Sequence, residues 1–164
     1  MNSVKLKLLF VYTMFVMCEA QCPANIILNP PEAHRVYQQN NTLVPGYHLI
    51  NSMLDSSAAF CFRGTHQANL HWMTMDLQTP MMVMGVVMQG RGDDASQYVT
   101  RINIASSNDG VTYASHGEYT TSGLETRHAK SNLLLNAAVS TRYLKITIVS
   151  WVNIVCLRIA VILP

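Results

Sequence analysis

Three strand-like runs between Trp72 and Gly110, each closed by turn chemistry, restrict the fold more than any other feature of the chain. In the first, Trp72, Thr74 and Asp76 alternate with Met73, Met75 and Leu77, the period of two that puts successive side chains on opposite faces of a strand. Thr79-Pro80 marks a turn. The second run, Met82 to Met88, is nearly unbroken in its apolarity, which fits a strand covered on both faces. Gly90 to Ser96 is a polar turn that carries the triplet Arg91-Gly92-Asp93. The third run places Tyr98, Thr100, Ile102, Ile104 and Ser106 on one face, and Asn108-Asp109-Gly110 is a short-hairpin signal from which Val111 to Tyr113 begins a return strand.

The rest of the chain agrees. Residues 21 to 50 are broken by Asn29-Pro30-Pro31 and Pro45-Gly46, with a short strand at Ala33 to Tyr37. A further short strand is expected around Glu118 to Thr120. Leu133 to Val139 is apolar, Tyr143 to Val149 alternates, and Cys156 to Leu163 makes a last strand. Many short strands without a helical stretch predict an all-β sandwich or barrel. Of the 164 residues, 49% are hydrophobic and 12% charged, a balance that excludes disorder and suits one domain. A formal charge of +2 gives no reason to expect a nucleic-acid partner.

The N-terminus reads as a secretory signal. Lys5 and Lys7 precede the apolar run Leu8 to Met17, which is too short to span a bilayer, and Cys18-Glu19-Ala20 offers small residues where a signal peptidase reads. Cleavage after Ala20 divides the chain into a signal peptide, 1–20, and a secreted extracellular domain, 21–164, with no transmembrane segment. Cys22, Cys61 and Cys156 then remain. One bridge can form, and the third thiol stays free or joins two copies as a disulfide-linked homodimer. Asn40-Asn41-Thr42 is a glycosylation acceptor at Asn40 and marks a surface loop.

Taken in order, Trp72-x-x-x-Asp76-Leu77, Gly85-Val86-x-x-Gln89-Gly90-Arg91, Tyr98-Val99-Thr100, Ser107-x-Asp109-Gly110, Arg142-Tyr-Leu-Lys-Ile146 and Trp151…Leu157-Arg158 resemble the discoidin family, the coagulation factor V/VIII type C domains, over roughly residues 50 to 163. The resemblance implies an eight-stranded antiparallel jelly-roll β-sandwich. It implies loops at one end, the spikes, that bind glycans, collagen, phospholipid headgroups or surface proteins, and it implies no enzymatic activity. The placement of Cys61 and Cys156 is closest to discoidin domain receptors, where the corresponding cysteines pair. It therefore implies a Cys61–Cys156 disulfide and leaves Cys22 unpaired, with Cys22–Cys156 as the competing assignment.

On this reading the ligand-binding residues are Asp55, Arg91, Gly92, Asp93 and Asp94, with Thr42 and Leu43 on the neighbouring spike. Arg91-Gly92-Asp93 carries two meanings. An integrin would need the guanidinium and the carboxylate held apart on a protruding turn that Gly92 lets bend either way. Alternatively Arg91 pairs with Asp55 or another loop carboxylate and braces the loops. Collagen binding is suggested by Asp55, Cys61 and Arg91, but Gln38 to Pro45 lacks a tryptophan. Phospholipid insertion fits poorly, because the Gly92 to Ser96 loop is acidic and small, leaving only Leu43-Val44 to insert.

The six methionines from Met73 to Met88 read as adaptable core filling rather than a soft-metal box. The histidines lack metal-ligand spacing, and no nucleophile motif occurs, so neither cofactor nor metal is expected. Asp93-Asp94 with Asp109 could hold calcium, though turn aspartates usually cap. Trp72 and Trp151 fill the ends of the core or offer a platform for a sugar ring. Arg158, inside a strand, needs a buried partner, for which Asp76 is the candidate. The expected function is adhesion or surface recognition through a glycan or protein ligand. A ligand-free structural module is the bland alternative.

Overall fold

The computed structural model describes residues 25–39, 42–43, 49–62 and 67–164. The signal segment 1–20, Cys22 and Asn40 lie outside them. Among the described residues nine antiparallel strands run in chain order: β1 (Ile26–Leu28), β2 (Arg35–Gln39), β3 (Thr42–Leu43), β4 (Phe60–Cys61), β5 (Trp72–Gln89), β6 (Tyr98–Ser107), β7 (Ala114–Thr120), β8 (Ser131–Val152) and β9 (Cys156–Leu163). Two of the nine, β3 and β4, are only two residues long. No helix among the described residues is long and apolar enough to cross a membrane.

The two long strands β5 and β8 make the sandwich, because each belongs to both layers. The first half of β5 pairs with β2 and with the second half of β8, which pairs in turn with β6, and β6 with β7. The second half of β5 pairs with the first half of β8 and with β9, which carries β1 and β4. The corner between the halves lies where a turn is expected at Thr79-Pro80, but the strand does not end there. The register slips between Asp76 and Met81, Gln78 turns left-handed at φ 71°, and residues 78–80 are exposed. A proline cannot donate to the ladder, and a bulge is a place in a strand that tolerates one. Gly85 sits beyond the corner because a β-carbon there would lie 2.2 Å from the Leu133 carbonyl oxygen.

Alternation decides the core. Met73, Met75 and Leu77 of β5, Ile102 and Ile104 of β6 and Leu144, Ile146 and Ile148 of β8 are buried on the inner face of the first layer. Opposite them lie Val83, Val86 and Met88 of β5 and Leu157, Ile159 and Val161 of β9. Met73, Met75 and Met88 are core filling, whereas Met82 is turned to solvent. The continuous apolarity of β9 has a second cause. Its other face, Ala160 and Ile162, packs with Val87 and Leu54, so the segment ahead of β4 roofs the second layer.

Several boundaries shift from the sequence reading. The residues before Arg35 form a 3-10 turn, Glu32–His34, and the strand lies at 35–39. The apolar stretch 133–139 and the alternating stretch 143–149 are one 22-residue strand. The return strand after Gly110 starts at Ala114, because the Val111 and Thr112 amides are held by the Asp109 carboxylate, both at 2.8 Å, instead of entering the ladder. Trp151 packs against the core as expected, but Trp72 stands on the outer face of the first layer. Cys61 and Cys156 face each other across β4 and β9 and form the disulfide.

Candidate functional site

The sheet brings four connections to one end of the sandwich: 53–58 ahead of β4, 90–97 between β5 and β6, 121–130 between β7 and β8, and 153–155 between β8 and β9. Arg158 in β9 ties three of them. It is 1% exposed, and its guanidinium donates to the carbonyls of Gly90 and Ser56, both at 2.7 Å, and to that of Arg127. Burial pushes the Arg158 guanidinium below its ordinary pKa, opposed by the charges of Asp55 and Asp93. Asp76, expected from sequence as its partner, lies instead at the corner, where Arg142 grips it at 2.9 and 3.0 Å. A strand arginine buried among loops finds acceptors in their carbonyls, which satisfy its donors without a carboxylate in contact.

Gln89, fully buried at the end of β5, does similar work one layer out. Its carbonyl accepts the Asp55 amide at 2.8 Å, and its amide donates to Asp55 Oδ1 at 3.0 Å and to the His128 carbonyl at 3.3 Å. This clamp holds Asp55 at φ 65°, a left-handed conformation that a non-glycine residue adopts only under constraint. The other carboxylate oxygen meets Lys130 Nζ at 2.8 Å, and Lys130 is the main reason the Asp55 carboxyl is held below the usual range. The result is an exposed ion pair on a buried, hydrogen-bonded base.

The triplet beside it does not present itself as an integrin ligand requires. Arg91 folds back on Asp93 through two bonds, Nε to Oδ1 at 2.6 Å and Nη2 to Oδ2 at 2.9 Å, and Nη1 donates to Gln97 at 2.9 Å. Each charge stabilises the other, raising the Arg91 pKa and lowering that of Asp93. The two groups that a receptor would read apart are joined. Gly92 is buried, not at a protruding tip, and it does not have a positive φ. Its amide donates to the Ala58 carbonyl at 3.1 Å, and a β-carbon would lie 2.5 Å from the Ser57 carbonyl oxygen. Glycine is therefore required by close approach of two loops. Arg91 thus pairs with Asp93 and Gln97 of its own loop and not with Asp55.

Asp94 shapes the same loop. It accepts from the Ser96 amide at 3.0 Å, the Ser96 hydroxyl at 2.7 Å and the Gln97 side chain at 2.6 Å, and the Ser96 bonds lower its pKa. Asn153 reaches across from the β8–β9 connection to the Ser96 carbonyl at 2.8 Å. A calcium site joining Asp93 and Asp94 to Asp109 is not formed. The first two precede β6 and the third follows it, so about 30 Å of strand separates them.

The structure thus gathers Asp55, Arg91, Gly92, Asp93 and Asp94. Thr42 and Leu43 stand apart from this group in β3, which pairs with β2 where β2 joins the first layer beside Trp72. Lys130, Gln89 and Arg158 were not foreseen as members. Gln89 carried a signal as part of the Gln-Gly-Arg motif and Arg158 as a strand arginine in need of a buried partner, whereas Lys130 carried none. Among the described residues of the four connections there is no tryptophan, tyrosine or phenylalanine. The surface is a set of fixed, mutually paired charges and turn amides, suited to directional hydrogen bonding.

Residues 35–161 match the model of the F5/8 type C domain. Lactadherin of Rattus norvegicus is 32% identical over 94 residues, which are 54% of this chain and 22% of that protein, and lactadherin of Mus musculus is equally similar. The chain thus spans about a fifth of these relatives. Discoidin II from Dictyostelium discoideum superposes with a TM-score of 0.67 at 16% identity, covering 87% of this chain and 59% of that one. The family 32 carbohydrate-binding module of Clostridium perfringens NanJ, solved with galactose, superposes with a TM-score of 0.59 at 14% identity, covering 84% and 99%. With the jelly-roll layers, the disulfide and a family model spanning most of the described residues, the chain belongs to the F5/8 type C, or discoidin, domain family.

Proposed function

We propose that this protein is a secreted recognition module that binds an extracellular glycan or a cell-surface or matrix protein through the loop end of its sandwich, without catalysis. In this reading residues 1–20 are a signal peptide, 21–164 are the mature domain, Asn40 carries a glycan, and Cys22 is free for pairing between copies. The observation that carries the proposal is the Asp55–Lys130 pair. It is exposed, yet it is fixed from beneath by Gln89, while Arg158 ties the neighbouring backbone. Surface ion pairs contribute little to stability. A buried hydrogen-bonding base beneath one lowers the entropic cost of meeting a ligand, because the groups are already in place. The galactose complex of the bacterial neighbour supports a glycan as ligand class.

The test uses the mature chain on arrays of glycans and on immobilised matrix proteins, beside the double variant Asp55→Ala/Lys130→Ala. Binding weakened by about tenfold or more in the variant, the loss of one or two charge-assisted hydrogen bonds, supports the reading. Equal binding by variant and parent contradicts it.

A further inference from the structure

A second surface holds what the loop end lacks. On the outer face of the first layer a groove of about 470 Å³ runs between β2 and the β6–β7 turn. That size lies within the range of small-molecule clefts, roughly 300–1,000 Å³. Strand geometry builds its floor. Trp72, Thr74 and Asp76 point outward from β5 because Met73, Met75 and Leu77 point inward. Tyr143 of β8 stands directly opposite Asp76 in the ladder, and Tyr113 closes the groove from the turn. Three aromatic rings therefore line one open trough.

The polar groups around the rings are committed to one another. Asp76 is held by Arg142, and its carboxyl is kept below the usual range by that bond. Asp109 is occupied by turn amides. Lys145 lies between two rings, 4.5 Å from the Trp72 centroid and 5.5 Å from that of Tyr113, and Arg142 lies 4.8 Å from the Tyr143 centroid. Both carboxylates and both cations beside the rings are thus already engaged, and His34 completes the polar lining. What a ligand meets is the ring surface that lines the groove, rimmed by the Thr74 and Tyr113 hydroxyls, which bond to each other, and by the Tyr143 hydroxyl and the Gln78 amide.

We infer that this groove is a carbohydrate site separate from the loop end, and that it takes a neutral sugar of one or two rings. A pyranose has one face of C–H bonds and an edge of hydroxyls. The C–H face meets the negative π-face of an aromatic ring, and the hydroxyl edge meets the polar rim. An ionic ligand would have to displace charge pairs already made, whereas a neutral amphipathic one does not. The inference stands independently of the proposed loop site.

The test is NMR of the full mature chain, following backbone amides and the Trp72 indole N–H during titration with lactose, N,N′-diacetylchitobiose and sialyllactose. Shifts for a neutral disaccharide should map to residues 72–78, 109–113 and 143. Tyr113→Ala, whose substitution lies in a turn outside the core, and Trp72→Ala should each weaken binding by about tenfold. Three results would overturn the inference: shifts confined to residues 53–58, 90–97 and 121–130, binding of sialyllactose alone, or no shift with any of the three sugars.

Discussion

At the scale of single residues, buried polar atoms explain most of what the loop end does. Replacing Arg158 with methionine keeps volume but strands three carbonyls that now have a donor, so a loss of about 3 kcal/mol is expected from urea unfolding. Gly92→Ala should cost about 2 kcal/mol, because the new methyl meets the Ser57 carbonyl and two loops must separate. Asp93→Glu should leave cell adhesion to the coated protein unchanged, since the carboxylate already serves Arg91; a marked fall would restore the integrin reading. Asp109 gives a pH signature. The Val111 amide, the Ser107 hydroxyl and the Thr112 amide hold its carboxyl at about 2 against an ordinary 3.8. A group depressed in the folded state contributes fully above its ordinary pKa and loses that contribution as pH falls through the folded one. Urea midpoints should therefore decline between about pH 4 and pH 2, and the gap between wild type and Asp109→Ala should close over the same window.

At the scale of elements, the disulfide and the two long strands set the frame. Cys61–Cys156 joins β4 to β9 across 95 residues, and in the chain-entropy model removing it destabilises by about 4.5 kcal/mol. Chemical unfolding of Cys61→Ala/Cys156→Ala against wild type measures that directly; an unchanged midpoint would mean that packing alone holds β4. Strands were legible where one face is buried, as at 72–77 and 143–149, because burial on one side writes a period of two into the sequence. β9 was legible as an apolar run, being covered on both faces. The corner at 78–81 was not. Proline and an exposed polar stretch look the same at a bulge as at a turn, and only the partner strand distinguishes them. The partner of Arg158 was hidden for a related reason. Backbone carbonyls accept hydrogen bonds at every residue, so no complementary side chain advertises them. The pairing of Arg91 with Asp93 was equally invisible, since three residues in order do not reveal whether their ends splay or fold back.

At the scale of the whole molecule, a closed sandwich carries its connections as a rigid plate carries fittings. The core fixes β5, β8 and β9, these fix Gln89 and Arg158, and those two residues hold loops that come from distant parts of the chain. The loop end should therefore behave as one unit, distinct from the sheets beneath it. Amide hydrogen exchange of wild type and Arg158→Met, measured under native conditions, tests this most directly. The expected result is a joint loss of protection in 54–58, 90–92 and 124–130, while the amides of β6 and the second half of β8 keep theirs. Protection lost in only one loop, or not lost at all, would contradict a loop end tied together through the buried Arg158 guanidinium.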